Sequence, residues 1–113
     1  MLFAVITLGL MGWSQSPSAR TVPYDEAVRC AGVTQAASEL EGGESRYGRS
    51  LSDAALYWSL VAMQSAQTHG RTTAQADTDQ NRARLEAVRQ LSAANKATRS
   101  QLQSCRQRTP RLG

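Results

Sequence analysis

Leu91-Ser92-Ala93-Ala94-Asn95-Lys96-Ala97-Thr98 decides how this chain folds. The stretch lies inside a segment, Asp79 to Thr109, that contains neither glycine nor proline. Apolar residues recur there at helical steps: Ala83, Leu85, Val88 and Leu91 make one stripe, and Thr98, Leu102 and Cys105 another. Periodicity alone gives a single helix of about 30 residues, roughly 45 Å long. A second reading starts a new helix at Asn95, a good N-cap residue, with Lys96-Ala97-Thr98 as its first turn.

The two cysteines choose between these readings. With only Cys30 and Cys105 in the chain, one intramolecular pairing exists; two free buried thiols or an intermolecular bridge are the alternatives. A disulfide needs Cα atoms within about 7 Å of each other. In a three-helix up-down-up arrangement the first and third helices run parallel. That puts Cys30, early in its helix, and Cys105, late in its own, at opposite ends. A break at Asn95 makes the last helix antiparallel and returns Cys105 to Cys30. The expected fold is therefore an all-α, four-helix up-down-up-down bundle stapled by one disulfide. Three helices with a long, steeply crossing third helix form the alternative.

Upstream of the break the elements follow from caps and stripes. Thr21-Val22-Pro23 opens a first helix, with Asp25 and Glu26 at the positive end of its dipole. Tyr24, Ala27, Val28, Ala31, Thr34, Ala37 and Leu40 form its stripe, and Gly42-Gly43 ends it. Ser50-Leu51-Ser52-Asp53 is the expected capped start of the second helix, and His69-Gly70 its close. On that helix Leu51, Ala55, Trp58, Val61 and Ala62 share one face, and Leu56, Leu60 and Met63 another. Two apolar faces place a helix at the centre of its bundle or against a partner; the central position is the first expectation. Gly70 to Thr78 reads as a linker. No segment of tetratricopeptide length recurs.

The N-terminus reads as an export signal. Met1–Trp13 carries no charged side chain and is shorter than the roughly 20 apolar residues a membrane span needs. Small residues at Ser16 and Ser18 make cleavage after Ser18 the first expectation and after Ala19 the second, so residues 1–18 are a signal peptide. Its start lacks Lys and Arg, which an upstream start would supply; a buried helix of a cytosolic protein is the competing reading. No cysteine follows closely enough for a lipid anchor. Residues 19–113 then make one helical domain of about 95 residues, ending in a short, flexible basic tail from Arg106. Periplasmic or secreted localisation follows, where a disulfide is stable. An alanine-rich core of this size is marginal, and closing a loop of roughly 75 residues stabilises by up to about 4 kcal/mol in the chain-entropy model.

Chemistry is scarce. His69 is the only histidine, and its place at a helix C-terminus suits a dipole interaction. A zinc site needs three or four His, Cys or carboxylate ligands. Met63 and His69 lie on one helix and cannot ligate haem from opposite sides. Glu39, Glu41, Glu44 and Asp53 cluster near the first connection without the spacing of a calcium loop, beside Arg46 and Arg49. Gly42-Gly43 and Gly48 match no phosphate-binding loop. Tyr57 and Trp58 are expected in the core. No catalytic residue, metal or cofactor is expected.

Charge is uneven across a formal net of +4. From Arg82 onward there are eight basic residues and one acid, Glu86. Arg82, Arg84, Arg89, Lys96, Arg99, Arg106 and Arg108 form a candidate face for an anionic surface, with Arg111 beyond them. Aromatics are not interleaved with them, and export separates the chain from intracellular nucleic acid, so no nucleic-acid partner is expected. The alternative is a set of solvated arginines that complement the acidic half. The functional expectation is a non-enzymatic envelope interaction module whose candidate partner face is Leu56, Leu60 and Met63. An acid-stress holdase, a class that is also small, helical, exported and disulfide-held, is the alternative, with inhibitor and immunity proteins fitting the same description. An enzyme would need a carboxylate pair such as Glu41 and Asp53 held in one pocket.

Overall fold

The computed structural model describes residues 22–111, which form four helices joined by short turns. These are α1 (Tyr24–Glu41), α2 (Arg46–Thr68), α3 (Thr73–Ser92) and α4 (Lys96–Gln107). The expected signal peptide and both cleavage points lie outside the described residues. No helix among the described residues is long and apolar enough to cross a membrane.

Contacts between helices fix the topology. Ser38 meets Ser52, Gln35 meets Ser59, and Ser65 returns to the carbonyl of Val22, so α1 and α2 are antiparallel. Tyr24 reaches Asp79 near the start of α3, and Glu39 reaches Arg84 further along it, so α3 runs with α1. Cys30 bonds to Cys105 across a Cα–Cα distance of 5.5 Å, and Arg108, just past the end of α4, pairs with Glu26, one turn earlier in α1, so α4 is antiparallel to α1. The order is up-down-up-down, as the cysteine argument requires.

The break at residues 93–95 is built from backbone hydrogen bonds. Asn95 N donates to Gln90 O at 3.0 Å and Ala94 N to Leu91 O at 3.0 Å, the paired bonds of a Schellman motif. Ala94 takes the left-handed conformation, with φ 60°, at the place usually held by glycine. Asn95 Oδ1 then accepts from Thr98 N at 2.9 Å and opens α4. The same device ends α2, where Gly70 (φ 72°) occupies the left-handed position and Arg71 N donates to Ala66 O at 2.8 Å.

Three expectations are corrected. The central helix is α1, not the helix with two apolar faces: α1 packs against all three others, and ten of its residues from Tyr24 to Ala37 are buried. Its small side chains let neighbours approach. A Cβ placed on Gly32 would lie 2.5 Å from Ala83 Cβ and 2.7 Å from Ala83 C, so α1 and α3 meet there almost backbone to backbone. Second, α2 begins at Arg46 under a Ser45 cap, with Ser45 Oγ accepting from Gly48 N at 2.9 Å. Gly48 belongs inside the helix because the Gly42 carbonyl fills the space its Cβ would need. Third, most of the expected linker is helix. Thr72 and Gln75 form a capping box, each side chain bonded to the other's backbone N–H, and α3 starts at Thr73.

The core is made mainly of alanine with a few large side chains, of which Trp58, Leu51 and Val33 are fully buried. Beside it runs a polar chain in which Gln35 donates to Ser59, Ser59 to Gln80 and Gln80 to Met63 Sδ, joining α1, α2 and α3.

Candidate functional site

Three places in the bundle gather the residues singled out by sequence. The first is the disulfide clamp. Cys30 and Cys105 are each 1% exposed. Trp58, on the buried face of α2, donates its indole N–H to Cys105 O at 3.1 Å and to Thr109 Oγ1 at 2.9 Å. Thr109 in turn donates to Cys105 O at 2.8 Å. Arg108 pairs with Glu26, sets its guanidinium 5.1 Å from the Trp58 ring centre, and reaches Cys30 Sγ at 3.3 Å. Tyr57 packs edge-on against Trp58. The basic tail that begins at Arg106 is thus helical to Gln107 and held at Thr109, and its last two residues, where fraying is expected, lie outside the described residues.

The second place is the outer face of α2. Leu56 and Leu60, one turn apart, are 63% and 62% exposed. Met63 differs: it packs against the core and accepts from Gln80. The candidate face therefore divides, leaving a pair of leucines toward solvent, with Gln35, Ser52 and Ser59 beside Leu56.

The basic residues are the third set, and the fold disperses them. Arg84 pairs with Glu39, Arg82 with Asp79, Arg89 with Glu86 and Arg108 with Glu26. Lys96, Arg99 and Arg106 remain on one side of α4. Arg106 lies over the Tyr47 ring, 4.7 Å from its centre. Arg99 and Arg106 border a groove of about 360 Å³ where the ends of α1 and α3 meet the start of α2 and the flank of α4. Leu40, Tyr47, Leu51, Leu91 and Leu102 line it. They are scattered along the sequence on separate helices, and only the tertiary arrangement brings them together.

The other polar groups singled out by sequence make contacts within the bundle. His69 caps α2 with Nδ1 2.7 Å from Ser65 O, which fixes the proton on that nitrogen. The acidic cluster separates: Glu39 turns to Arg84, and Glu41 accepts from Ser45. No group of three or more metal-ligating side chains forms among the described residues. Among the described residues, Tyr24 has the one marked shift. Burial, then its hydrogen bond to Asp79 at 2.8 Å, pushes its phenol from 10.0 up to about 12, while Arg71 above its ring pulls the other way.

No family model matches this chain, and comparison with curated proteins and with solved structures yields no match.

Proposed function

We propose that this protein is an exported, non-enzymatic interaction module that engages a protein partner in an extracytoplasmic compartment through the outer face of α2. The observation that carries this is where its leucines go. The core is filled largely with alanine, yet Leu56 and Leu60 stand at 63% and 62% exposure on adjacent turns. Burying one such side chain contributes roughly 1.5–3 kcal/mol, which a small core forgoes by leaving both outside. Adjacent apolar side chains, with polar Gln35, Ser52 and Ser59 beside Leu56, suit the centre and rim of a contact surface. Export is supported by the apolar N-terminal stretch and by the buried disulfide.

The test is capture from an envelope extract of its own source by the oxidised protein, in low and high salt. An apolar interface predicts a partner that survives high salt and is lost with Leu56→Asp/Leu60→Asp. A partner retained equally by that variant overturns the reading. The holdase reading has its own support in the carboxylates that tie helices together, Glu26 to Arg108, Glu39 to Arg84 and Asp79 to Tyr24. It predicts that acidification exposes apolar surface to a fluorescent hydrophobic dye and suppresses aggregation of a client.

A further inference from the structure

The groove at the end of the bundle carries a chemical specificity of its own, independent of the α2 face. Its floor is apolar and rigid: Leu51 is fully buried and Ala37 6% exposed. Its rim leaves apolar surface uncovered, with Leu40 at 51% and Tyr47 at 41% exposure. Its volume of about 360 Å³ falls within the ~300–1,000 Å³ of small-ligand sites.

Charge distinguishes this groove from an ordinary surface hollow. Arg99 and Arg106, like several other basic residues, have no carboxylate within pairing distance among the described residues. They share one lining, however, whereas the hollow around Tyr24 balances Arg29, Arg71 and Arg82 with Asp25, Asp79 and Glu86. The two groove arginines sit seven residues apart on α4, about 10.5 Å along one side of the helix, close enough for both side chains to reach a group between them. Arg106 is stationed at the rim by the face of Tyr47. Glu41 is the one acid in the lining, so two arginines and one carboxylate leave a net charge of +1. That balance suits a monoanion and disfavours a cation.

We propose that this groove binds a single-chain anionic amphiphile of the fatty-acid class, its acyl chain against Leu40, Tyr47, Leu91 and Leu102 and its carboxylate between Arg99 and Arg106. The charge-assisted bonds from guanidinium to carboxylate set the polar end, and the leucines hold the chain.

The full-length oxidised chain is titrated calorimetrically with laurate below its micellar concentration, with its methyl ester and dodecyltrimethylammonium as chain-matched comparators. Backbone amide shifts locate the site. The expected result is saturable one-to-one binding of laurate, with shifts confined to the groove. Both comparators should bind at least about tenfold more weakly. Arg99→Gln, an exposed change that leaves the core untouched, should weaken laurate binding by a comparable factor, Arg99→Gln/Arg106→Gln further, and Glu41→Gln should tighten it. Absence of saturable binding overturns the proposal. So do equal affinity for the cationic amphiphile, shifts elsewhere in the chain, or indifference to the arginine substitutions. Binding to phosphatidylglycerol vesicles without binding of free laurate overturns it in favour of a lipid surface.

Discussion

Ala94 holds a left-handed backbone conformation, φ 60°, that costs an L-residue with a Cβ roughly 1–2 kcal/mol and that glycine adopts freely. The cost is tolerated because the turn it makes redirects α4 toward Cys30. Ala94→Gly should therefore stabilise the protein by about 1 kcal/mol, read as a higher thermal midpoint; an unchanged or lower midpoint would contradict the turn. It also explains why the break was legible only indirectly. Asn95 announced a cap, but with alanine where glycine usually stands no local signal stopped α3, and the cysteines had to decide. Tyr24 gives a second residue-scale outcome. Its raised phenol means that the folded state holds the proton more tightly than the unfolded chain. The resulting stability is complete below pH 10.0 and lost as pH rises toward about 12. Chemical denaturation across that window should show a fall in stability that is smaller in Tyr24→Phe, although the variant, lacking the Asp79 bond, is less stable at neutral pH.

Helix packing depends on small residues at the crossing points. At Gly32 an added Cβ would meet Ala83 Cβ at 2.5 Å and Arg84 N at 2.9 Å, and neither α1 nor α3 can yield without moving its backbone. Gly32→Ala should destabilise by about 1–3 kcal/mol, measured by urea unfolding. Restoring space with Ala83→Gly should recover part of the loss and not all of it, since the α3 backbone stays close. The same smallness explains which element expectations failed. α1 looked ordinary because alanine and glycine carry little hydropathy signal, yet that is what allows it the centre. Gly48 lies ahead of the expected helix start at Ser50, and only the fold places the Gly42 carbonyl in the space a Cβ there would need. The Thr72–Gln75 capping box was hidden in a polar stretch without an apolar stripe to announce a helix.

Across the whole molecule, a small alanine-rich core is held by a long-range staple. The disulfide closes 75 residues of chain, so replacing both cysteines with alanine should lower stability by up to about 4 kcal/mol in the chain-entropy model; a loss within error would mean that the core stands unaided. The fold class, the pairing of the cysteines and the burial of Trp58 were legible because each rests on spacing along one chain. The groove was not, because its lining comes from four separate helices. Nor was the pairing of Arg84 and Arg108, which depends on Glu39 and Glu26 arriving from α1. The proposed function rests on the outer face of α2, and site-specific photocrosslinking of the protein in its source cells tests it most directly. A photoreactive residue at position 56 or 60 should yield one discrete protein adduct, while the same probe at Leu85, also exposed at 54% but on α3, should not. No adduct from positions 56 and 60, or equal adducts from all three positions, would contradict the account.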